Sequence, residues 1–357
     1  MPAPATRELA TTTDAVRSWL ATHLADRGIV ATNLRIDVVP HTTGGYSNEV
    51  LFVTATYDAG AGPDEERLVI RLPPAGPALF PTYDLAMEVA VQHAVADHGV
   101  PIAGPIVHEQ DPSWLGTPFL VMPRVVGHDV GELPVADEWL AGAGEARQRG
   151  LHERFLDVLA RIHTTPWQGR DVAAVLPGAS GSLVDELDRW DELVAWVFDG
   201  DPPGAVTDVF AWCRAHRPVE EPPASLLWGD VRLGNVIVDD DFAPVAVLDW
   251  EMASIGPAEQ DLAWYTALDA MATHFVGRRV PGFLDRDEIA ARHEAALGRP
   301  LVDLRWFELF AMARSATLNI RADRLEARRR GKEPRPAADN GVLAYTSAAI
   351  AAADATR

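Results

Sequence analysis

One cysteine, Cys213, stands in 357 residues, so no internal disulfide can form and a reducing compartment is the simplest home. It lies in an apolar stretch of helical character and reads as a small packing residue. Basic residues are scarce too: 31 Lys and Arg against 52 Asp and Glu leave a formal charge of −21. A surface that acidic repels phosphate backbones, which argues against nucleic acid as a partner, while the same field welcomes cationic small molecules. No run approaches the length of a membrane span, and the N-terminus lacks the charged-then-apolar pattern of a secretory signal. The expectation is a cytoplasmic protein with no membrane partner. Internal repeats, low-complexity tracts and heptads are also missing. Apolar residues are plentiful, at 48%, in a chain long enough for two lobes with a sizeable core.

The most informative stretch is residues 226–265, LLWGDVRLGNVIVDDDFAPVAVLDWEMASIGPAEQDLAWY. Two short Val- and Ile-rich runs, 235–238 and 244–248, flank the acidic turn 239–241, as in a β-hairpin. An antiparallel pair brings its open ends together. Asn235 and Asp249 thereby become neighbours, with Asp230 on the tight loop beside them. An Asp, an Asn and a second Asp make a hard, oxygen-rich site suited to Mg²⁺, which takes one or two carboxylates plus phosphate oxygens and water. The order also fits phosphoryl transfer, where a catalytic-loop Asp is followed after four residues by a metal-binding Asn, and a metal-binding Asp lies further on.

The paired motifs GDVRLGNV and LDWE…GPAEQDLAW resemble the aminoglycoside phosphotransferase-like family, a branch of the protein-kinase-like fold, and are nearest to actinobacterial members of unassigned substrate. The resemblance implies an α+β, bilobal, kinase-like architecture. An N-terminal lobe of antiparallel sheet with one main helix, residues 1–123, would bind nucleotide. A larger, mainly helical lobe, residues 124–357, would carry the catalytic hairpin and the acceptor, with a hinge at about 122–127. It also implies ATP as donor, with GTP left open, Mg²⁺ as the metal, and a hydroxyl of an aminoglycoside-like or other hydroxylated metabolite as acceptor. The His that commonly precedes Gly-Asp in this family is replaced by Trp228, which changes packing beneath the loop first.

In chain order, residues 14–27 place Val16, Trp19, Leu20 and Leu24 at helical spacing, and residues 34–40 alternate as a strand. Residues 41–48, HTTGGYSN, form a Gly-Gly turn between two strands whose backbone can approach a phosphate closely. Any hairpin turn can hold two glycines; the resemblance assigns Gly44, Gly45, Ser47 and Asn48 to the nucleotide phosphates. An acidic turn over 58–66 leads to a strand over 67–72 carrying Arg71, where the kinase template has Lys. Arg71 is either the phosphate-binding cation or an outward-facing strand residue, since Arg and Lys are not interchangeable at such sites. Glu88, in a helix over 83–98, is its candidate partner or one more solvated carboxylate. Strands over 105–109 and 118–122 lead to the extended segment 123–127, where Met122 and Arg124 fall at the expected adenine-contacting hinge. Helices are expected over 149–164, 183–198, 206–216, 258–273, 287–297, 302–324 and 342–353. His163 reads as packing and hydrogen bonding, and Asp261 as structural support near a helix N-terminus. The Gly-rich segment 178–182 has Ser182 where a nucleophile elbow needs Gly, so it reads as a loop.

The leading functional reading is an Mg²⁺-dependent kinase of a small-molecule hydroxyl with Asp230 as base. The alternative is a non-catalytic nucleotide-binding module, suggested by Arg71 and Trp228. A protein kinase is disfavoured because Asp249 is followed by Trp-Glu and promptly by a helix, with no activation segment.

Overall fold

The computed structural model describes residues 8–41, 47–60 and 62–355. Two compact units emerge: Met1–Val89 with Ala103–Val125, and Ala90–Ile102 with Val126–Arg357. The architecture is α+β.

The first unit begins with helix α1 (Leu9–Asp26) and strands β1 (Thr32–Pro40), β2 (Glu49–Asp58) and β3 (Pro63–Leu72). Helix α2 (Leu85–Ala96) starts here, and β4 (Val107–Glu109) and β5 (Phe119–Pro123) complete an antiparallel sheet ordered β1-β2-β3-β5-β4. Strand alternation turns Leu51, Val53, Ala55 and Tyr57 of β2 and Ile70 and Leu72 of β3 into one core. Into it α1 delivers Val16, Trp19, Leu20 and Leu24, the stripe legible in the sequence. Trp19 Nε1 donates to Glu109 Oε2 at 2.9 Å, so its indole is buried with its polar atom satisfied.

β3 starts earlier than its composition suggests. The acidic residues expected in a turn continue the ladder, with Asp58 opposite Pro63 and Ala55 opposite Glu66. β5 pairs with β3 over Leu68–Arg71, leaving the acidic end of β3 beside β2 alone. Charges are tolerated at that exposed end, and Glu66 is satisfied there by the Tyr57 hydroxyl at 2.9 Å and Arg27 at 3.0 Å.

The second unit is mostly helical. It runs through β6 (His128–Asp129), α3 (Glu138–Gly142), α4 (Glu145–His163), α5 (Val172–Val175), α6 (Leu183–Val197), α7 (Gly204–Ala215) and β7 (Ala224–Leu227). It continues with β8 (Val236–Val238), β9 (Pro244–Val247), β10 (Ser254–Pro257), α8 (Glu259–Val276), α9 (Arg286–Leu297), α10 (Leu304–Arg329) and α11 (Gly341–Asp354). α10 packs on α8, α11, α7 and α6, burying Trp306, Phe307, Phe310, Ala313 and Ile320. α4 lies against β7, β9 and α9. Ser182 caps α6 by accepting from Val184 N at 3.1 Å, as a loop residue would.

Two boundaries differ from expectation. Gly256 and Pro257, which directly precede the helix expected over 258–273, close β10 against β7, with Gly256 opposite Ser225 and Pro257 opposite Ala224. Proline at the end of a strand removes no needed donor, so the composition hides this pairing. α10 runs on to Arg329, beyond the expected end at 324, so the basic residues Arg328 and Arg329 fall in its last turn, where cations favour the helix dipole.

Candidate active site

The 226–265 stretch folds as a hairpin with its functional groups at the open end. β8 and β9 pair with Val236 opposite Val247, and Leu248 N donates to Asn235 O at 2.8 Å. Asn235 therefore sits beside Asp249, as the hairpin geometry requires. Asn235 Nδ2 donates to Asp230 Oδ2 at 2.9 Å and to Asp230 O at 3.1 Å. Trp264 of α8 donates its indole N–H to the other oxygen, Asp230 Oδ1, at 3.1 Å. Arg232 brings Nε to 2.9 Å from Asp230 Oδ2 and pairs through Nη1 with Glu132. Burial pushes the Asp230 carboxyl above its ordinary value; Arg232 pulls it down and Asp249 pushes it up again. The two carboxylates thus feel one another across the mouth of the hairpin.

The backbone beneath is tied down by a buried network. Asp261 of α8 accepts from Trp228 N at 2.7 Å and from Gly229 N at 3.0 Å. His163 of α4 donates from Nε2 to Asp261 Oδ2 at 3.1 Å, and its Nδ1 faces His293 Nε2 of α9 at 2.8 Å. With the hydrogen assigned to Nε2, Nδ1 is the acceptor for His293 Nε2. Trp228, fully buried, donates from Nε1 to Leu248 O at 2.9 Å and Asp249 O at 3.1 Å. The indole therefore holds the chain at the residue whose φ of +60° is uncommon for anything but glycine.

Gly229 has a φ of +92°, and a Cβ there would lie 2.2 Å from Met252 O. No side chain fits without moving backbone, so Gly229→Ala should cost about 1–3 kcal/mol of stability and displace Asp230. A fall in melting temperature together with lost turnover is the expected result.

Two buried histidines make a second prediction. Burial lowers His293 to about 2, helped by His163, and His152 to about 3, helped by Arg279. Both are neutral in the folded chain. His152 accepts from Leu284 N at 2.9 Å through Nδ1 and meets the Tyr265 hydroxyl at 2.7 Å through Nε2. Because their folded pKa lies below the unfolded value of about 6.5, the stability they allow is complete above about pH 6.5 and is lost as pH falls. Each should cost about 2 kcal/mol on going from about pH 6.5 to 5, read from denaturant melts. His293→Gln should flatten that slope.

In the first unit, Arg71 of β3 pairs through Nη1 with Oε2 of Glu88 on α2, whose side chain is buried. Ser47 is buried and Asn48 half-buried just ahead of β2. Met122 is buried in β5 opposite Val69. Arg124 N donates to Arg67 O at 2.8 Å, and the Arg124 guanidinium lies 4.5 Å over the Phe52 ring. Gly44 and Gly45 lie outside the described residues.

The donor set fits a hard divalent cation. Asn235 Nδ2 is spent on Asp230, which leaves Oδ1 as the acceptor atom of that side chain, and Asp249 directly follows Leu248, whose amide bonds Asn235 O. Among the described residues no group of three or more His, Cys, Asp or Glu could hold a metal. Mg²⁺ needs no such cage, since phosphate oxygens and water complete its shell.

The sequence model of the phosphotransferase enzyme family matches residues 39–331. The chain belongs to that family. Solved structures agree on the protein-kinase-like fold. A putative aminoglycoside phosphotransferase from Ralstonia eutropha superposes with a TM-score of 0.68 at 20% identity, covering 95% of this chain and 98% of that one. A macrolide 2′-phosphotransferase from Brachybacterium faecium gives a TM-score of 0.52 at 17% identity over 93% of this chain and 98% of its own. The GDP complex of wild-type aminoglycoside 2′-phosphotransferase-IIIa gives 0.53 at 13% identity over 96% and 99%. Among curated proteins, human acyl-CoA dehydrogenase family member 11 is 27% identical over 250 residues, 68% of this chain. The match spans 30% of that relative's length.

Sequence reasoning passed over four partners now seen around the hairpin: Trp264 on Asp230, Glu132 on Arg232, His293 on His163, and Arg314, which faces Trp264. Only Trp264, inside the DLAW motif, carried a usable signal.

Proposed function

We propose that this chain transfers the γ-phosphoryl group of ATP to a hydroxyl of a small-molecule acceptor. The observation that carries the reading is the Asp230 carboxylate, fixed by Asn235 and Trp264 on a loop whose metal-type donors, Asn235 and Asp249, stand at the open end of one hairpin. Phosphoryl transfer asks little covalent chemistry of a protein beyond position, charge neutralisation and a proton acceptor. Asp230 accepts the proton of the acceptor hydroxyl as its oxygen bonds to phosphorus and the bond to the nucleoside diphosphate breaks. Asn235 and Asp249 would hold Mg²⁺, which supplies charge neutralisation for the phosphate oxygens when bound.

Residues 1–123 act as the nucleotide-binding lobe and residues 124–357 as the catalytic and acceptor lobe. Arg71, positioned by Glu88, serves as the cation for the phosphates; Gly44, Gly45, Ser47 and Asn48 line the phosphate loop. Met122 and Arg124 mark the adenine-contacting segment, and the Arg124 backbone is already fixed on β3.

A coupled assay of nucleoside diphosphate release decides the matter. Purified chain, Mg²⁺ and ATP or GTP are offered a panel of aminoglycosides, macrolides, sugars and hydroxyacyl thioesters, the last prompted by the acyl-CoA dehydrogenase relative. Acceptor-dependent release of nucleoside diphosphate supports the reading. Tight nucleotide binding with no turnover on any compound favours a non-catalytic nucleotide-binding module, to which the Trp228 substitution lends its support.

A further inference from the structure

Arg314, in the middle of α10, is 6% exposed. Its guanidinium carbon lies 4.9 Å from the Trp190 ring of α6, 4.9 Å from the Trp264 ring of α8 and 5.6 Å from the Phe310 ring of its own helix. Three aromatic rings surround the guanidinium carbon, which favours its charge without taking its N–H groups in conventional hydrogen bonds. Among the described residues Arg314 makes no hydrogen bond or ion pair, and its Nε is wholly enclosed with no partner.

A buried guanidinium with idle donors is costly, and burial pushes it below its ordinary pKa. Three carboxylates act on it electrostatically, those of Glu186, Asp261 and Asp230, yet each is committed elsewhere. Glu186 takes Arg189 and Trp190 Nε1. Asp261 takes the amides of Trp228 and Gly229 and His163. Asp230 takes Asn235 and Trp264. Asp261 and Asp230 cannot turn to Arg314 without breaking the loop at the proposed base, and Glu186 cannot without giving up Arg189 and Trp190. The same Trp264 whose ring faces Arg314 donates to Asp230, so the unspent cation lies one side chain behind the reacting centre.

We propose that Arg314 is the anchor for a carboxylate or phosphate group on the acceptor, so the hydroxyl compound phosphorylated here is itself an anion. This rests on the function proposed above and names its substrate class. The aromatic cage that could receive an ammonium group is filled by the chain's own cation, which opposes a cationic acceptor despite the acidic surface. A planar fork of N–H donors meets two oxygens of a carboxylate or phosphate side by side, a match an ammonium or neutral amide cannot make.

The test uses the full chain and matched pairs: hydroxycarboxylic acids of graded length with their methyl esters, and sugar phosphates with their parent sugars. Binding is read by calorimetry without nucleotide, and turnover by ADP release. The wild type should prefer the anionic member. Arg314→Met keeps an unbranched apolar stem against the rings and should lose that preference, weakening the anion about ten- to hundredfold while the neutral partner changes little. Arg314→Lys should recover part of it, and serves if the Met variant fails to fold. No anion preference in the wild type anywhere in the panel overturns the proposal. So does an equal loss for both members of a pair, which marks a packing role. A loss of ADP affinity in place of anion affinity assigns Arg314 to the nucleotide and overturns it too. Anion binding that depends on Arg314 without any turnover upholds the anion anchor and overturns the catalytic reading instead.

Discussion

Asp230→Asn should lower kcat for phosphoryl transfer by about 10²–10⁴-fold, the range expected when a positioned base is removed, while nucleotide affinity stays within a few-fold. The substitution is nearly isosteric, so the expected loss comes from chemistry. The new side-chain amide would still accept from one neighbour, Trp264 Nε1 or Asn235 Nδ2, through its remaining oxygen, and would present its NH₂ to the other. The wild-type carboxylate takes both, at 3.1 and 2.9 Å. Arg232 would keep Glu132 and lose Asp230 as an ion-pair partner. Burial already disfavours the charged carboxylate, which offsets part of the donor–donor contact and the lost ion pair, so the Tm should shift by only a few degrees. A Tm that close to wild type, with kcat collapsed, separates a catalytic part from a structural one. Full turnover in this variant would take the proton-acceptor role away from Asp230.

The hairpin was legible because its signals are local. Val and Ile runs bounded by Asp-rich turn residues specify β8 and β9, and pairing alone then puts Asn235 next to Asp249. The stripe on α1 was legible for the same reason, since Val16, Trp19, Leu20 and Leu24 repeat at the helix period. What escaped is what lies far along the chain. Glu132 meets Arg232 across 100 residues and His293 meets His163 across 130. No periodicity links such positions; tertiary packing does. β10 escaped for another reason. It is four residues long, contains Gly and Pro, and becomes a strand only because β7 lies beside it.

Trp228 shows how a departure from a family pattern can be read physically. The position that commonly holds His carries an indole whose single donor is shared between Leu248 O and Asp249 O. An imidazole could make a comparable bond; the larger ring also fills volume against Phe155 and Trp250. In this chain the backbone at Asp249 is anchored by that indole. His163 and Asp261, read as support from the sequence, lie together directly beneath the loop.

Asp249→Asn should abolish metal-dependent turnover, a loss of about 10³-fold or more, because it removes the one charged side chain of the Asn235–Asp249 donor pair. Asn is the better probe than Ala. At a φ of +60° an L-residue is strained, and Asn tolerates the left-handed region where Ala does not. The Asn variant leaves the backbone and the Trp228 contacts in place, so the lost charge is the main change. It also removes the repulsion Asp249 exerts on Asp230, which should ease ionisation of the base and work against the expected loss. A large loss in spite of that relief points to the metal. Two calorimetric titrations complete the argument: ADP with EDTA should bind wild type and variant alike, and ADP with Mg²⁺ should bind the wild type more tightly. Turnover within tenfold of wild type at saturating Mg²⁺ would remove Asp249 from the metal-binding role.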